Sequence, residues 1–196
     1  MKSGSHRRTL VAALALGLFA LDATLVACAA APAAKTEIEE IAPGLFRSWE
    51  TLPSDWSLLR FTRDKDARAL VGCDAVKLTG SETGLRLSVD KATGAVVPAI
   101  MGPGTGLTAK PVTVTYWLGA DKSGARAVEA RIVKSLDDME WLSAAPSGET
   151  GLQDKLRGAA RISFVYPDQG KARTLVIPLA GAKAALEKLL ACARSM

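Results

Sequence analysis

Apolar and polar positions alternate in short runs over most of the chain, and the period lengthens only near the C-terminus. In "GLRLSVD" (84–90) the alternation is strict, placing Leu85, Leu87 and Val89 on one face and Arg86 and Ser88 on the other. "DKATG" (90–94) reads as a hairpin turn into "AVVPAIM" (95–101), where Pro98 favours an edge or irregular strand. "DWSLLRFT" (55–62) and "ARALVGCDAVKL" (67–78) predict two earlier strands, the second carrying Cys73. "VTVTYWL" (112–118) is the strongest strand signal, dense in β-branched and aromatic residues. "ARAVEARIVK" (125–134) suits either its hairpin partner or a helix. A short helix is expected within 149–159, then strands at 160–166 and 173–179 joined by the turn "PDQGKA".

Beyond that, Ala182, Ala185, Leu186, Leu189, Leu190 and Ala193 recur at steps of three and four, one apolar stripe on a helix over 181–194. The stripe is built largely of alanine and leucine and suits packing on the protein's own sheet. The expected fold is mainly β (α+β): an antiparallel β-rich single domain, a sandwich or curved sheet, closed by a C-terminal amphipathic helix.

The N-terminus follows a different pattern. Lys2, Arg7 and Arg8 precede the apolar run "TLVAALALGLFAL" (9–21), which is shorter than the roughly 20 apolar residues a permanent spanning helix needs. A basic start, an apolar centre and small residues near a cut site define an export signal. Leu25, Val26, Ala27 and Cys28 resemble the lipobox of bacterial lipoprotein precursors, so residues 1–27 are expected to be removed and Cys28 to be acylated. The competing expectation is a cut before Ala34, which would discard Cys28. Small and acidic residues over 28–45 suggest a flexible tether, and 46–196 the folded domain. These expectations place it at the periplasmic side of the envelope, anchored by lipid, at the outer membrane.

"LVGC" and "LLAC" repeat the lipobox pattern without its context, so Cys73 and Cys192 read as structural. In an oxidising compartment this even pair is expected to form a disulfide; two separate buried thiols are the alternative.

Charge and chemistry narrow the function classes. Without residues 1–27 the formal charge falls from +5 to +3, because Lys2, Arg7, Arg8 and Asp22 leave together. No dense basic block or aromatic–basic motif remains, which argues against nucleic-acid binding. The single histidine, His6, lies in the signal. The mature chain therefore has no histidine base or ligand, and histidine-dependent nucleophile systems and a zinc site fall away. Neither catalytic residues nor cofactors are expected. "GTGLTA" (104–109) fits a dinucleotide fingerprint only loosely, with Pro98 before it and Pro111 behind it. Asp137, Asp138 and Glu140 beside Trp141 form the nearest approach to a carboxylate site. Among the four tryptophans, Trp49, Trp56 and Trp141 are candidates for a ligand or partner surface, against the plainer expectation that tryptophans fill the core.

A strand led by Trp56, Cys73 one strand later, and "VIPLAGAKAALEKL" (176–189) running from strand into helix together resemble the exported proteins of the invasion-associated locus B type. Leu179, Gly181 and Ala185 match a stretch at the same place in that family. Ala182 stands where the family has an aromatic, and its further cysteines are absent. The resemblance covers the 56–73 region and the last twenty or so residues; it implies a β-rich periplasmic domain and transfers no active site. Three classes remain: an anchored, non-catalytic protein binding or scaffolding a periplasmic partner, a module for a sugar or peptidoglycan fragment, and a hydrolase relying on carboxylates. A pocket holding two tryptophans would favour the second, and carboxylates paired across a cleft the third.

Overall fold

The computed structural model describes residues 37–66, 68–103, 105, 110–144 and 151–196. The export signal, Cys28, and most of the 104–109 loop lie outside the described residues. Eleven antiparallel strands form a single sheet in the order β1-β2-β3-β4-β5-β6-β9-β8-β7-β10-β11. They are β1 (Ile38–Ala42), β2 (Leu45–Leu52), β3 (Trp56–Thr62), β4 (Leu70–Gly80), β5 (Thr83–Val89), β6 (Val96–Met101), β7 (Val112–Leu118), β8 (Arg126–Lys134), β9 (Glu140–Ala144), β10 (Arg161–Asp168) and β11 (Lys171–Pro178). Helices α1 (Leu152–Gly158) and α2 (Ala182–Ala193) complete the fold. None of the described helices is long and apolar enough to cross a membrane.

Strict alternation produces the expected two faces. Leu85 and Leu87 are fully buried on the inner face, while Arg86 and Ser88 turn outward. One inner cluster gathers residues from β2 through β11 and from both helices, including Leu52, Leu58, Ala75, Leu87, Ile100, Tyr116, Phe164 and Ile177. A flat sheet could not bring both ends of its strand order into one core, so the sheet curls around it. Ala182, Ala185, Leu186, Leu189 and Cys192 are buried on one stripe of α2, which packs on β3, β4 and β5. Each fully buried leucine of that stripe contributes roughly 1.5–3 kcal/mol.

Cys73 on β4 and Cys192 on α2 are joined by a disulfide, with Cα atoms 6.2 Å apart. The bridge fixes the last helix turn to a central strand, as expected for the pair Cys73 and Cys192.

The structure differs from the sequence expectations at several points. The domain starts well before Phe46: β1 and the first residue of β2 occupy 38–45, assigned above to the tether. Glu39 pairs with Arg47 across these strands, and their sheet hydrogen bonds satisfy backbone that a tether would leave to water. Strand β6 is central rather than an edge. Pro98 faces Leu87 on the β5 side, while the β9 side pairs only at Ala99 and Ile100, so Pro98 stands where no ladder bond to β9 is formed. Residues 126–134 are strand, pairing with β7 from Val112 to Tyr116. Position in the hairpin decides against the helix that the alanines allow.

Candidate functional site

The outer face of the sheet carries a second, smaller apolar cluster of Val76, Ala99 and Trp141, flanked by Leu59, Met101, Val133 and Met139. Burial here depends on the β8–β9 turn, 135–139, which folds back over the strands. Ser135 N–H donates to the Met139 carbonyl (2.9 Å), and Asp138 N–H to the Ser135 carbonyl (3.0 Å). Asp138 takes φ 60° at the tip. Leu136 reaches down to Gly72, where an added Cβ would sit 2.8 Å from its Cδ1.

An ion pair pins this turn to β2. Arg47 Nη1 donates to Asp137 Oδ2 at 2.8 Å, and Nη2 to Glu39 Oε2 at 2.7 Å. The Ser135 hydroxyl occupies the other Asp137 oxygen. Burial works against the Arg47 charge, but the bonds to Glu39 and Asp137 outweigh it and hold the guanidinium above its ordinary pKa. Between β4 and β5, Arg86 Nε lies 2.9 Å from Asp74 Oδ2, both side chains largely out of water. Burial pushes the Asp74 carboxyl up; Arg86 opposes this, and nearby Asp137 adds to it.

Between the turn and β2–β4 lies a cleft of about 410 Å³, lined by Arg47, Thr51, Asp55, Trp56, Ser57, Leu59, Val76, Leu78, Asp137, Met139 and Trp141. That volume is in the range of small-ligand sites, and an apolar lining with a few polar groups is their usual make-up. Trp141 Nε1 is buried without a hydrogen-bond partner among the described residues, although buried indole N–H groups normally find one.

At one edge, the turn Pro53–Asp55 leads into β3 with two consecutive non-glycine residues at positive φ, Ser54 at 60° and Asp55 at 62°. Such conformations cost of order 1–3 kcal/mol each and persist only where surroundings impose them. The surroundings here are specific. Buried Lys77 donates from Nζ to the Ser54 carbonyl, and Trp56 Nε1 donates to the Ala180 carbonyl at 2.9 Å. Gly181, at φ 82°, lets the turn approach so closely that a Cβ would lie 2.5 Å from the Pro53 carbonyl oxygen.

The expected tryptophan surface is therefore corrected. Trp56 and Trp141 are 0% and 1% exposed; they line the cleft as part of its packed wall and offer no open ring for stacking. Trp49 alone of the three is partly exposed, with the Arg47 guanidinium 5.8 Å from its ring centre. The acidic trio does not converge. Asp137 is committed to Arg47 and Ser135, while Asp138 and Glu140 are exposed, Glu140 lying 3.9 Å from Lys134. Sequence reasoning missed Arg47, Asp55, Leu59, Val76 and Met139 as site residues. Nothing local marks them, because they meet only through the pairing of distant strands.

No family model matches the sequence, and no curated protein matches it. Among solved structures the chain is similar to the crystal structure of invasion associated protein B from Bartonella henselae, with a TM-score of 0.50 and 16% identity. The match covers 74% of this chain and 98% of that one. At that identity the likeness is one of fold: a β-rich domain of the kind that Trp56, Cys73 and the 176–189 stretch resemble.

Proposed function

We propose that the protein is an exported envelope protein, held at the membrane by lipid on Cys28, whose β-domain is non-catalytic and binds a small, partly apolar ligand. The observation that carries the ligand reading is the cleft bounded by Trp56, Trp141 and the pinned 135–139 turn. It favours a small molecule over a protein partner, because a concave apolar site of this volume suits a ligand that can be largely enclosed. A carboxylate hydrolase is less well supported. Of the two cleft carboxylates, Asp137 already spends both oxygens on Arg47 and Ser135, and Asp55 has no facing acid to work with.

Fluorescence of a neutral apolar probe, N-phenylnaphthylamine, should rise on adding the full chain. Leu78, half-exposed in the cleft lining, can be changed to tryptophan without disturbing the core. That variant should lose the signal while melting like the wild type. An undiminished signal would place the probe elsewhere and remove the cleft from the account. Metabolic labelling with a fatty-acid analogue tests the anchor: the wild type should be marked and Cys28→Ser should not.

A further inference from the structure

The strained turn beside the cleft carries one charged side chain that it gives no partner. Asp55 is exposed, lines the cleft, and has no ion pair or hydrogen bond from its carboxylate among the described residues. Its backbone is nevertheless fixed from three directions, by Lys77 on the Ser54 carbonyl, by Trp56 on Ala180, and by the close approach of Gly181. Backbone strain imposed by its surroundings clusters at ligand clamps, and here it lies around an unpaired carboxylate at a cleft edge. We propose that the cleft binds a small primary amine on an apolar body, with the ammonium at Asp55 and the body along Leu59, Val76 and Met139.

The surrounding charges support a cation. Arg47 is opposed by both Glu39 and Asp137, and Asp55 adds an unmatched negative charge. Among the charged residues that line the cleft, one cation, Arg47, stands against two anions, Asp55 and Asp137, and Lys77 sits on the inner face of β4 with its ammonium on the Ser54 carbonyl. An anionic ligand would meet a net negative site. A sugar would want exposed aromatic faces, and the two tryptophans here are 0% and 1% exposed. An alkyl chain needs only the apolar lining that is present.

This assignment rests on the small-ligand reading, and the test separates the two. Hexylamine, hexanol, hexanoate and chitotetraose are titrated into the full chain by calorimetry at neutral pH. Hexylamine should bind at least about tenfold more tightly than hexanol, the scale of one charge-assisted hydrogen bond, and hexanoate more weakly still. Asp55→Asn, which tolerates the same backbone conformation, should bring hexylamine to the level of hexanol and leave hexanol unchanged. Hexanol, hexanoate or chitotetraose binding as tightly as the amine, or an amine affinity indifferent to Asp55→Asn, overturns the amine assignment and leaves the cleft standing. No binding by any of the four, with N-phenylnaphthylamine still held, also overturns it. If the fluorophore is not held either, the small-ligand reading falls with it.

Discussion

Replacing Cys73 and Cys192 together by alanine should lower the stability of the domain by about 5 kcal/mol. The bridge joins residues 119 apart in sequence, and in the chain-entropy treatment a loop of that length restricts the unfolded chain by about 5 kcal/mol. Domain stabilities generally run from about 5 to 15 kcal/mol, so this one link is of the same order as the whole. The folded state has reason to survive its loss. Four other positions on the α2 stripe (Ala182, Ala185, Leu186 and Leu189) are buried at 0–1% exposure, and the helix would remain docked through them. For a domain of this size each kcal/mol moves the melting temperature by about 2–4 °C, which gives a fall of about 10–20 °C. Thermal unfolding followed by circular dichroism would compare the oxidised wild type, the same protein with reductant, and the double alanine variant. Reductant leaves both sulfurs in place, so its effect isolates the link from the packing of the thiols. The two treatments should agree to within about 1 kcal/mol, the packing contribution of two small apolar groups. A reduced protein that melts within a few degrees of the oxidised one would refute the reasoning. So would two thiols that alkylate in denatured, unreduced protein.

Three further outcomes follow from the packing and the charges. Gly181→Ala should cost at least about 2–4 kcal/mol in urea unfolding, because its backbone is at φ 82° and the new Cβ meets the Pro53 carbonyl. Gly44→Ala, at φ 69° in open space, should cost only about 1 kcal/mol; equal losses would mean the close approach at Gly181 does not matter. Leu186→Asp places an unpaired charge at a site with no exposure and should destabilise by several kcal/mol or prevent folding. A variant that melts normally would detach α2 from the core. The Asp74 carboxyl is raised in the folded protein by burial, so the fold holds its proton to higher pH than the unfolded chain does. That preference supports stability below the ordinary carboxylate range and is lost as pH climbs through the raised value. The difference in unfolding free energy between wild type and Asp74→Asn should therefore move against the wild type as pH rises from about 4 to 7. A difference that is flat with pH would contradict the buried titration.

What the sequence reveals is set by how local each cause is. The β5 strand is legible because apolar Leu85 and Leu87 on one face alternate with polar Arg86 and Ser88 on the other, which writes the sheet's two faces directly into neighbouring residues. Helix α2 is legible for the same reason at a longer period. The disulfide is legible because only Cys73 and Cys192 remain to pair once Cys28 is set apart, and the fold supplies the 6.2 Å approach. Strand β1 is hidden because four of its five residues are exposed; an edge strand with no buried face leaves no alternation to read. Pro98 misleads because its effect depends on which neighbour pairs at that residue, and the pairing with β9 stops at Ala99.

The cleft lies at the far end of this scale. Its walls come from β2, the strained turn into β3, β4 and the 135–139 turn, and the Arg47–Asp137 contact that fixes them spans 90 residues. That contact exists because the β7–β8–β9 meander is inserted in reverse order, which sets β9 rather than β7 against β6. Reversing it would carry Trp141 and Met139 away from Val76 and leave the outer face of β4 in water. The strand order thus decides both that the outer face is buried and that a cleft forms there. In sequence the same residues, an arginine, two aspartates, a methionine and scattered aliphatics, are indistinguishable from ordinary surface and core. Asp55 stands out only once its backbone angle and its missing partner are seen together.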